Sequence, residues 1–497
     1  MNNPLILAID QGTSGTKAII FNKQGKIEAR GSVPLKSYYP ETGFVEQDPE
    51  EIYQNVLDSL KACLKEFTTK GGKQADILCC GISNQRETLV VWDDKGKPLH
   101  KAVVWQCKRS VRICNRLREH GMEEMIGQKT GLIIDPYFSG TKMIWLYEND
   151  TSIKEAVDAG KANFGNVDSW LLYRLTGGKA YFTDYTNASR TLFFNLESLE
   201  WDQELLDEFG LKNLNLPEAV PSGFGFGSSD FEGIFNIPVP ITGMIGDSHA
   251  AAFGEGCYQP GSAKATLGTG SSILLNTGSK PVFSEHGMVS TICWSIGDRV
   301  DYALEGVIVT CGATIEWLKN QLGLFIESWE TEQMATSVRD NNGVYLIPAF
   351  SGLGAPHWKM DAKAMITGLT FGADKNHLVR AALESIPFQI KDVISAMEAE
   401  SETSLKELKI DGGISANMFV VQMVADLLNT PVVNIGIADV SALGAALIAG
   451  MEEGIYSDID ELSIVHQEQH STLPDSTTVE AANLVYEGWK EEIRRHF

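Results

Sequence analysis

LILAIDQGTSGTKAIIF, residues Leu5–Phe21, decides the fold. Leu5–Ile9 is an apolar run that ends on Asp10, and Ala18–Phe21 is a second one. A turn of Gly, Ser and Thr separates them, so the spacing predicts strand, tight turn, strand. Gly12 and Gly15 let the backbone bend and bring its N–H groups close to an anion. Thr13, Ser14 and Thr16 add hydroxyl donors, and Lys17 adds a positive charge. Asp10 ends the strand, where a carboxylate can hold a magnesium ion or its water. An ordinary hairpin with a polar turn fits the same residues. The stretch is not a P-loop, which needs G-x-x-x-x-G-K-[ST], nor a dinucleotide fingerprint, whose G-x-G-x-x-G opens a helix.

The chain has 497 residues, too many for one core, so two large domains are expected. A formal net charge of −24 opposes a nucleic-acid partner, although a local positive pocket can still take ATP. Eight cysteines are scattered without a C-x-x-C pair, a pattern of reduced thiols with no metal cluster. The first residues lack a signal-peptide pattern, and no apolar stretch reaches membrane-spanning length. A cytoplasmic protein without membrane insertion is expected.

Asp48, Pro49, Glu50 and Glu51 read as a helix start, with Asp48 as cap and Glu51 completing a capping box. Ile52, Val56, Leu60 and Leu64 then mark one buried face. Ile77–Ser83 reads as a buried strand leading to Arg86 and Glu87. Such a pair is by default a surface salt bridge, but strand ends of open α/β sheets also bind ligands. Adjacent donor and acceptor side chains suit a polyhydroxyl compound. Trp105 either packs on substrate carbons or fills a core, and Tyr137 offers a hydroxyl near a turn. Further on, an apolar run reaches Gly246 and Asp247 ahead of an Ala-rich helix. Asp247 is either a helix cap or a general base able to take a hydroxyl proton. Ala263–Leu275 repeats the opening pattern, with Gly268, Thr269 and Gly270 in the turn, which points to a duplicated domain. The predicted domains are 1–253 and 254–497, with ATP and substrate in the cleft between them. A helix is predicted from Thr314 to Leu322. Leu405–Ile410 reads as a strand entering Asp411, Gly412 and Gly413, with Asn417 ahead of a helix over Met418–Leu428. Glycines there let the backbone approach a base or ribose. Ser441–Gly450 reads as a closely packed small-residue helix.

Two spaced signatures resemble those of the FGGY carbohydrate kinases: Tyr137–Asn149, and Ala364–Leu369 followed by His377–Glu384. NQRET at 84–88, VWQC at 104–107, IDPYFSGTK at 134–142, TDYTNASRT at 183–191, YALEG at 302–306 and IPAFSGLGAP at 347–356 are similar to the glycerol-phosphorylating members of that family. The resemblance spans residue 5 to roughly residue 490 and implies an α/β fold of two actin-like (ribonuclease H-like) ATPase domains around an ATP/substrate cleft. It implies ATP-dependent phosphorylation of glycerol to sn-glycerol 3-phosphate. A longer polyol or sugar (erythritol, threitol, a pentitol, xylulose) is the alternative. The implied catalytic base is Asp247, and the implied substrate contacts are Arg86, Glu87, Trp105, Tyr137, Asp247 and Ser248. Thr13, Ser14, Gly15, Lys17, Gly268, Thr269, Gly312, Glu316, Gly413 and Asn417 are the implied ATP contacts. Asp10 and Asp247 are the implied Mg2+ ligands, and a homodimer or homotetramer is the implied assembly.

The chain departs from those relatives at four positions. Ser248 stands where they usually have Gln, Ser272 where they have Phe, Glu316 where they have Gln, and Lys17 where they have Arg. Lys keeps the charge but loses the planar fork. The two serines predict a larger, more polar pocket. Residues Ser228–Ile237 hold neither the histidine nor the basic residues through which some relatives are regulated, so neither control is expected.

Overall fold

The computed structural model of the protein describes residues 4–434, 436, 437, 439–466 and 470–497. Its framework is a mixed sheet of thirteen strands: β1 (Leu5–Gln11), β2 (Gly15–Asn22), β3 (Ile27–Pro34), β4 (Ile77–Asn84), β5 (Gly223–Ser229), β6 (Val239–Gly246), β7 (Ser262–Leu267), β8 (Ser271–Gly278), β9 (Val289–Ile296), β10 (Arg299–Ile308), β11 (Glu407–Asp411), β12 (Val432–Asn434) and β13 (His470–Thr472). Their spatial order is β13-β12-β11-β7-β8-β10-β9-β5-β6-β4-β1-β2-β3. The internal echo is a structural repeat. β1 pairs antiparallel with β2 and parallel with β4, while β7 pairs antiparallel with β8 and parallel with β11. The two halves of the sheet meet where β5 and β9 pair at Gly223 and Ile296.

β1 is apolar at successive positions because both its faces are covered. Leu5, Leu7 and Ile9 pack with Ile52, Val56 and Leu60 of α1 (Pro49–Thr69). Ile6 and Ala8 pack with Ala442, Leu443 and Ala445, which belong to a helix late in the chain, Val440–Glu452. Asp48 caps α1 by accepting from Glu50 N at 3.0 Å. The expected capping box does not form, because the Glu51 carboxylate accepts from Lys36 N instead, at 3.1 Å.

The other helices that bear on the site are α2 (Ser139–Asn149), α3 (Asp247–Gly254), α4 (Gly312–Asn320), α5 (Lys375–Ser401), α6 (Met418–Leu428) and α7 (Val440–Glu452). α4 thus starts and ends two residues earlier than predicted. Although α7 follows the second set of strands, it packs on β1, β4 and β6 of the first set. It crosses α3 so closely that a Cβ on Gly444 would lie 1.8 Å from Ala250 O. All eight cysteines are buried and free. Among the described residues no helix is long and apolar enough to cross a membrane.

The crossing of α3 and α7 leaves no room for a side chain at Gly444. Gly444→Val should cost at least about 1–3 kcal/mol through overpacking and lower the thermal unfolding midpoint. An unchanged midpoint would mean that the two helices can separate without loss.

Candidate active site

The β1–β2 turn is closed by Gly12 N donating to Gly15 O at 2.9 Å. The register sets Asp10 opposite Lys17 on β2 and beside Ser83 on β4. Lys17 Nζ lies 3.9 Å from Asp10 Oδ2 and donates to Asp439 Oδ1 at 2.6 Å. Asp439 stands just before α7 with a left-handed backbone (φ 60°). Burial pushes the Asp10 carboxyl up to about 6, helped by the charges of Asp247 and Asp439 and opposed by Lys17. Thr13 is fixed from outside the turn: Trp105 Nε1 donates to its Oγ1 at 2.9 Å and Gln47 Nε2 to its carbonyl at 2.8 Å. Ser14 O accepts from Leu35 N. Gly15 lies where a Cβ would come 2.8 Å from Val33 O.

The end of β4 brings Arg86 to the end of β6. Gly246 leaves space for this, since a Cβ there would lie 2.7 Å from Arg86 Cγ. Arg86 Nε is 3.4 Å from Asp247 Oδ1, and Arg86 Nη2 donates to Tyr137 Oη at 3.4 Å. The Asp247 side chain is 36% exposed, whereas Arg86 is buried. Trp105 meets Tyr137 edge to face at 5.6 Å between ring centres. Glu87 is buried with φ 57°, and Ser248 follows Asp247, whose Oδ1 accepts from Ser248 N at 2.7 Å. Arg86, Glu87, Trp105, Tyr137, Asp247 and Ser248 therefore converge, and Trp105 links them to the Thr13 turn. His249 is buried with Nε2 3.3 Å from Thr291 Oγ1. Burial and the Arg86 charge hold its pKa well below the usual histidine range, so it is neutral at pH 7.

In the second half, Gly312 N donates to Gly268 O, and Cys311 N and Ala313 N donate to Thr269 O. A Cβ on Gly312 would lie 2.7 Å from Gly268 O, and one on Gly412 (φ +89°) would lie 2.5 Å from Leu267 O. The β7–β8 turn, the start of α4 and the loop after β11 are thereby held together. Gly413 has open space beside it. Glu316, one turn along α4, accepts from Asn320 Nδ2 at 3.1 Å. Asn417 caps α6 and donates to Thr331 Oγ1 at 3.2 Å. Both of these bonds stay within the second half of the chain.

Arg190 and Glu305 adjoin this site without having been singled out from the sequence. Arg190 Nε donates to Glu87 Oε1 at 2.5 Å, and Glu305 accepts from Arg86. Burial opposes charge on Glu305, but Arg190 and Arg86 hold its carboxyl well below the usual range. Their only sequence signal was membership of TDYTNASRT and YALEG. Lys142, on α2, is also fully buried, with Nζ donating to Pro136 O at 3.0 Å and to Tyr137 O. Burial pushes its pKa down to about 7.

Residues 5–254 match the N-terminal domain of the FGGY family of carbohydrate kinases, and residues 263–453 match its C-terminal domain. The chain is 43% identical over 496 residues to a glycerol kinase of Symbiobacterium thermophilum, covering 100% of this chain and 99% of that protein. It is 44% identical over 491 residues to a glycerol kinase of Caldanaerobacter subterraneus subsp. tengcongensis, covering 99% and 98%. The crystal structure of Plasmodium falciparum glycerol kinase with ADP superimposes with a TM-score of 0.94 at 33% identity, covering 100% of this chain and 98% of that one. The duplicated hairpins belong to the two-domain α/β fold of a carbohydrate kinase. More narrowly, the chain belongs to the FGGY family of carbohydrate kinases and is an ATP-dependent kinase of a sugar or polyol.

Lys142 makes stability depend on pH. Its pKa is 10.5 unshifted and about 7 when buried, so between those values the unfolded chain holds more protons. Stability then rises with pH by up to about 1.4 kcal/mol per unit. Between pH 7 and pH 9 the urea midpoint of the wild type should climb relative to that of Lys142→Met. A constant difference would show that the ammonium stays charged in the fold.

Proposed function

We propose that this kinase transfers the γ-phosphoryl group of ATP to glycerol, giving sn-glycerol 3-phosphate. The observation that carries this reading is the approach of Arg86 Nε to Asp247 Oδ1 at 3.4 Å beside the Tyr137 hydroxyl. A part-exposed carboxylate ringed by fixed donors is what a small polyol needs for one hydroxyl to be held and deprotonated. The glycerol kinases named above, alike over nearly their whole length, support glycerol as the polyol.

In this reading Arg86, Glu87 and Tyr137 orient the hydroxyls, Trp105 covers the carbons, and Ser248 borders the pocket. Asp247 accepts the proton of the terminal hydroxyl as its oxygen bonds to the γ-phosphorus in line and the bond to ADP breaks. Thr13, Ser14, Gly15 and Lys17 on one side, with Gly268 and Thr269 on the other, stabilise the phosphoryl charge. Gly312, Glu316, Gly413 and Asn417 border the nucleoside. Residues 1–253 hold the polyol and phosphates, and residues 254–497 hold the nucleoside.

Magnesium fits the donors present. Asp10 and Asp247 are carboxylates close enough that the charge of one raises the pKa of the other, a repulsion that an oxygen-seeking divalent ion relieves. Asp10 and Asp247 would hold it, and when bound it neutralises charge on the β- and γ-phosphates. The family resemblance adds the expectation of a cytoplasmic homodimer or homotetramer, which sedimentation would check.

Asp247→Asn should lower kcat by about 10²–10⁴-fold and leave the KM for ATP within about threefold. A fall of less than tenfold would remove Asp247 from the role of base. One observation favours a longer substrate: Ser248 and Ser272 are both short and part-buried, and the Ser272 hydroxyl donates to Glu305 Oε1 at 2.9 Å. Coupled ADP release should give glycerol the highest kcat/KM in a panel with erythritol, threitol, arabitol, ribitol and xylulose. A tenfold advantage for any of the others would replace glycerol as the substrate.

A further inference from the structure

Two of the side chains that face the polyol, Glu87 and Arg86, are the ends of a row of alternating buried charges: Glu87, Arg190, Glu305 and Arg86. The most exposed of the four is Arg86, at 5%. Arg190 Nε donates to Glu87 Oε1 at 2.5 Å, and Arg190 Nη2 lies 2.7 Å from Glu305 Oε2. Glu305 then grips Arg86 with both oxygens, Oε1 accepting from Nη2 at 2.9 Å and Oε2 from Nη1 at 3.3 Å. The Arg190 guanidinium also lies over two rings, 5.1 Å from the centre of Phe138 and 5.8 Å from that of Tyr137.

Buried charges survive only when paired, and two carboxylates with two guanidinium groups balance here. The bidentate grip fixes the plane of Arg86 and leaves its Nε edge toward Asp247. At the other end, Arg190 holds the carboxylate of Glu87, a residue whose backbone is left-handed. One chain of contacts thus reaches all three side chains, Arg86, Glu87 and Tyr137, to which the function proposed above gives the polyol. Glu305 lies on β10 in the second half of the sheet, 219 residues from Arg86, so that half helps shape the pocket.

We propose that Arg190 and Glu305 are positioning residues for the polyol, setting the charge and orientation of Arg86, Glu87 and Tyr137 without themselves touching the reacting atoms. This rests on the polyol site assigned above. A network needed only for folding would change the KM for ATP and the KM for polyol together, or neither. A positioning network acts on the polyol alone.

The test measures kcat and both KM values for the full-length wild type, Glu305→Gln, Arg190→Gln and Arg190→Lys. Glycerol, or the best polyol of the panel, is the acceptor. Glu305→Gln should raise the polyol KM at least tenfold, with the KM for ATP within twofold. Arg190→Lys keeps the charge but loses the fork, and should raise the polyol KM at least threefold but less than Arg190→Gln does. A polyol KM within twofold of wild type in both Glu305→Gln and Arg190→Lys overturns the proposal. So does an equal rise in both KM values. If Glu305→Gln yields no folded protein, Arg190→Lys alone decides by the same limits. A wild type that turns over no polyol refutes the proposed function and this inference with it. Wild-type turnover with unmoved variants refutes this inference only.

Discussion

The structure depends on the burial of β1 on both faces. A strand between two helix layers has no position for a polar side chain along its length, so its chemistry is confined to its end. Asp10 stands there, and the turn that follows brings Lys17 back opposite it. β4 and β6, parallel neighbours, end at the same edge and deliver Arg86 and Asp247. Four charged groups from four strands thus gather at one rim, because β1, β4 and β6 run parallel and in register while β2 returns antiparallel from the turn. The apolar stretches of the sequence act on the site mainly by fixing where they stop.

Charge at this rim is set locally, not by the acidic character of the whole chain. The net charge of −24 is a sum over the whole chain, while Arg86 and Arg190 are held inside by Glu87 and Glu305. Screening by salt reaches exposed pairs and hardly touches buried ones. This buried row of charges is therefore largely insulated from salt in the exterior. Lys17 is the contrast: its side chain is 45% exposed and shared between Asp10 and Asp439.

Much of this was legible in the sequence because it was local. The opening hairpin, its echo at Gly268, the α1 stripe and the glycines after β11 each follow from spacing within about twenty residues. The capping box at Glu51 failed because an amide from outside the helix, that of Lys36, claimed the carboxylate. Arg190 and Glu305 were not legible, since their partners lie 103 and 219 residues away and an isolated Arg or Glu has no periodicity to betray it. The same applies to Lys17 and Asp439, 422 residues apart. The small residues of α7 announced close packing but not against what.

The placement of α7 has a consequence for how the chain is made. Synthesis proceeds from the N-terminus, and domains generally fold as units in that order. The first half cannot complete its core that way, because Ile6, Ala8 and Phe21 are covered by Ala442, Leu443 and Ala446. Until the ribosome has released α7, one apolar face of the nascent sheet stays uncovered. The late helix is thus the clasp that closes the core of a unit begun more than 400 residues earlier in the chain.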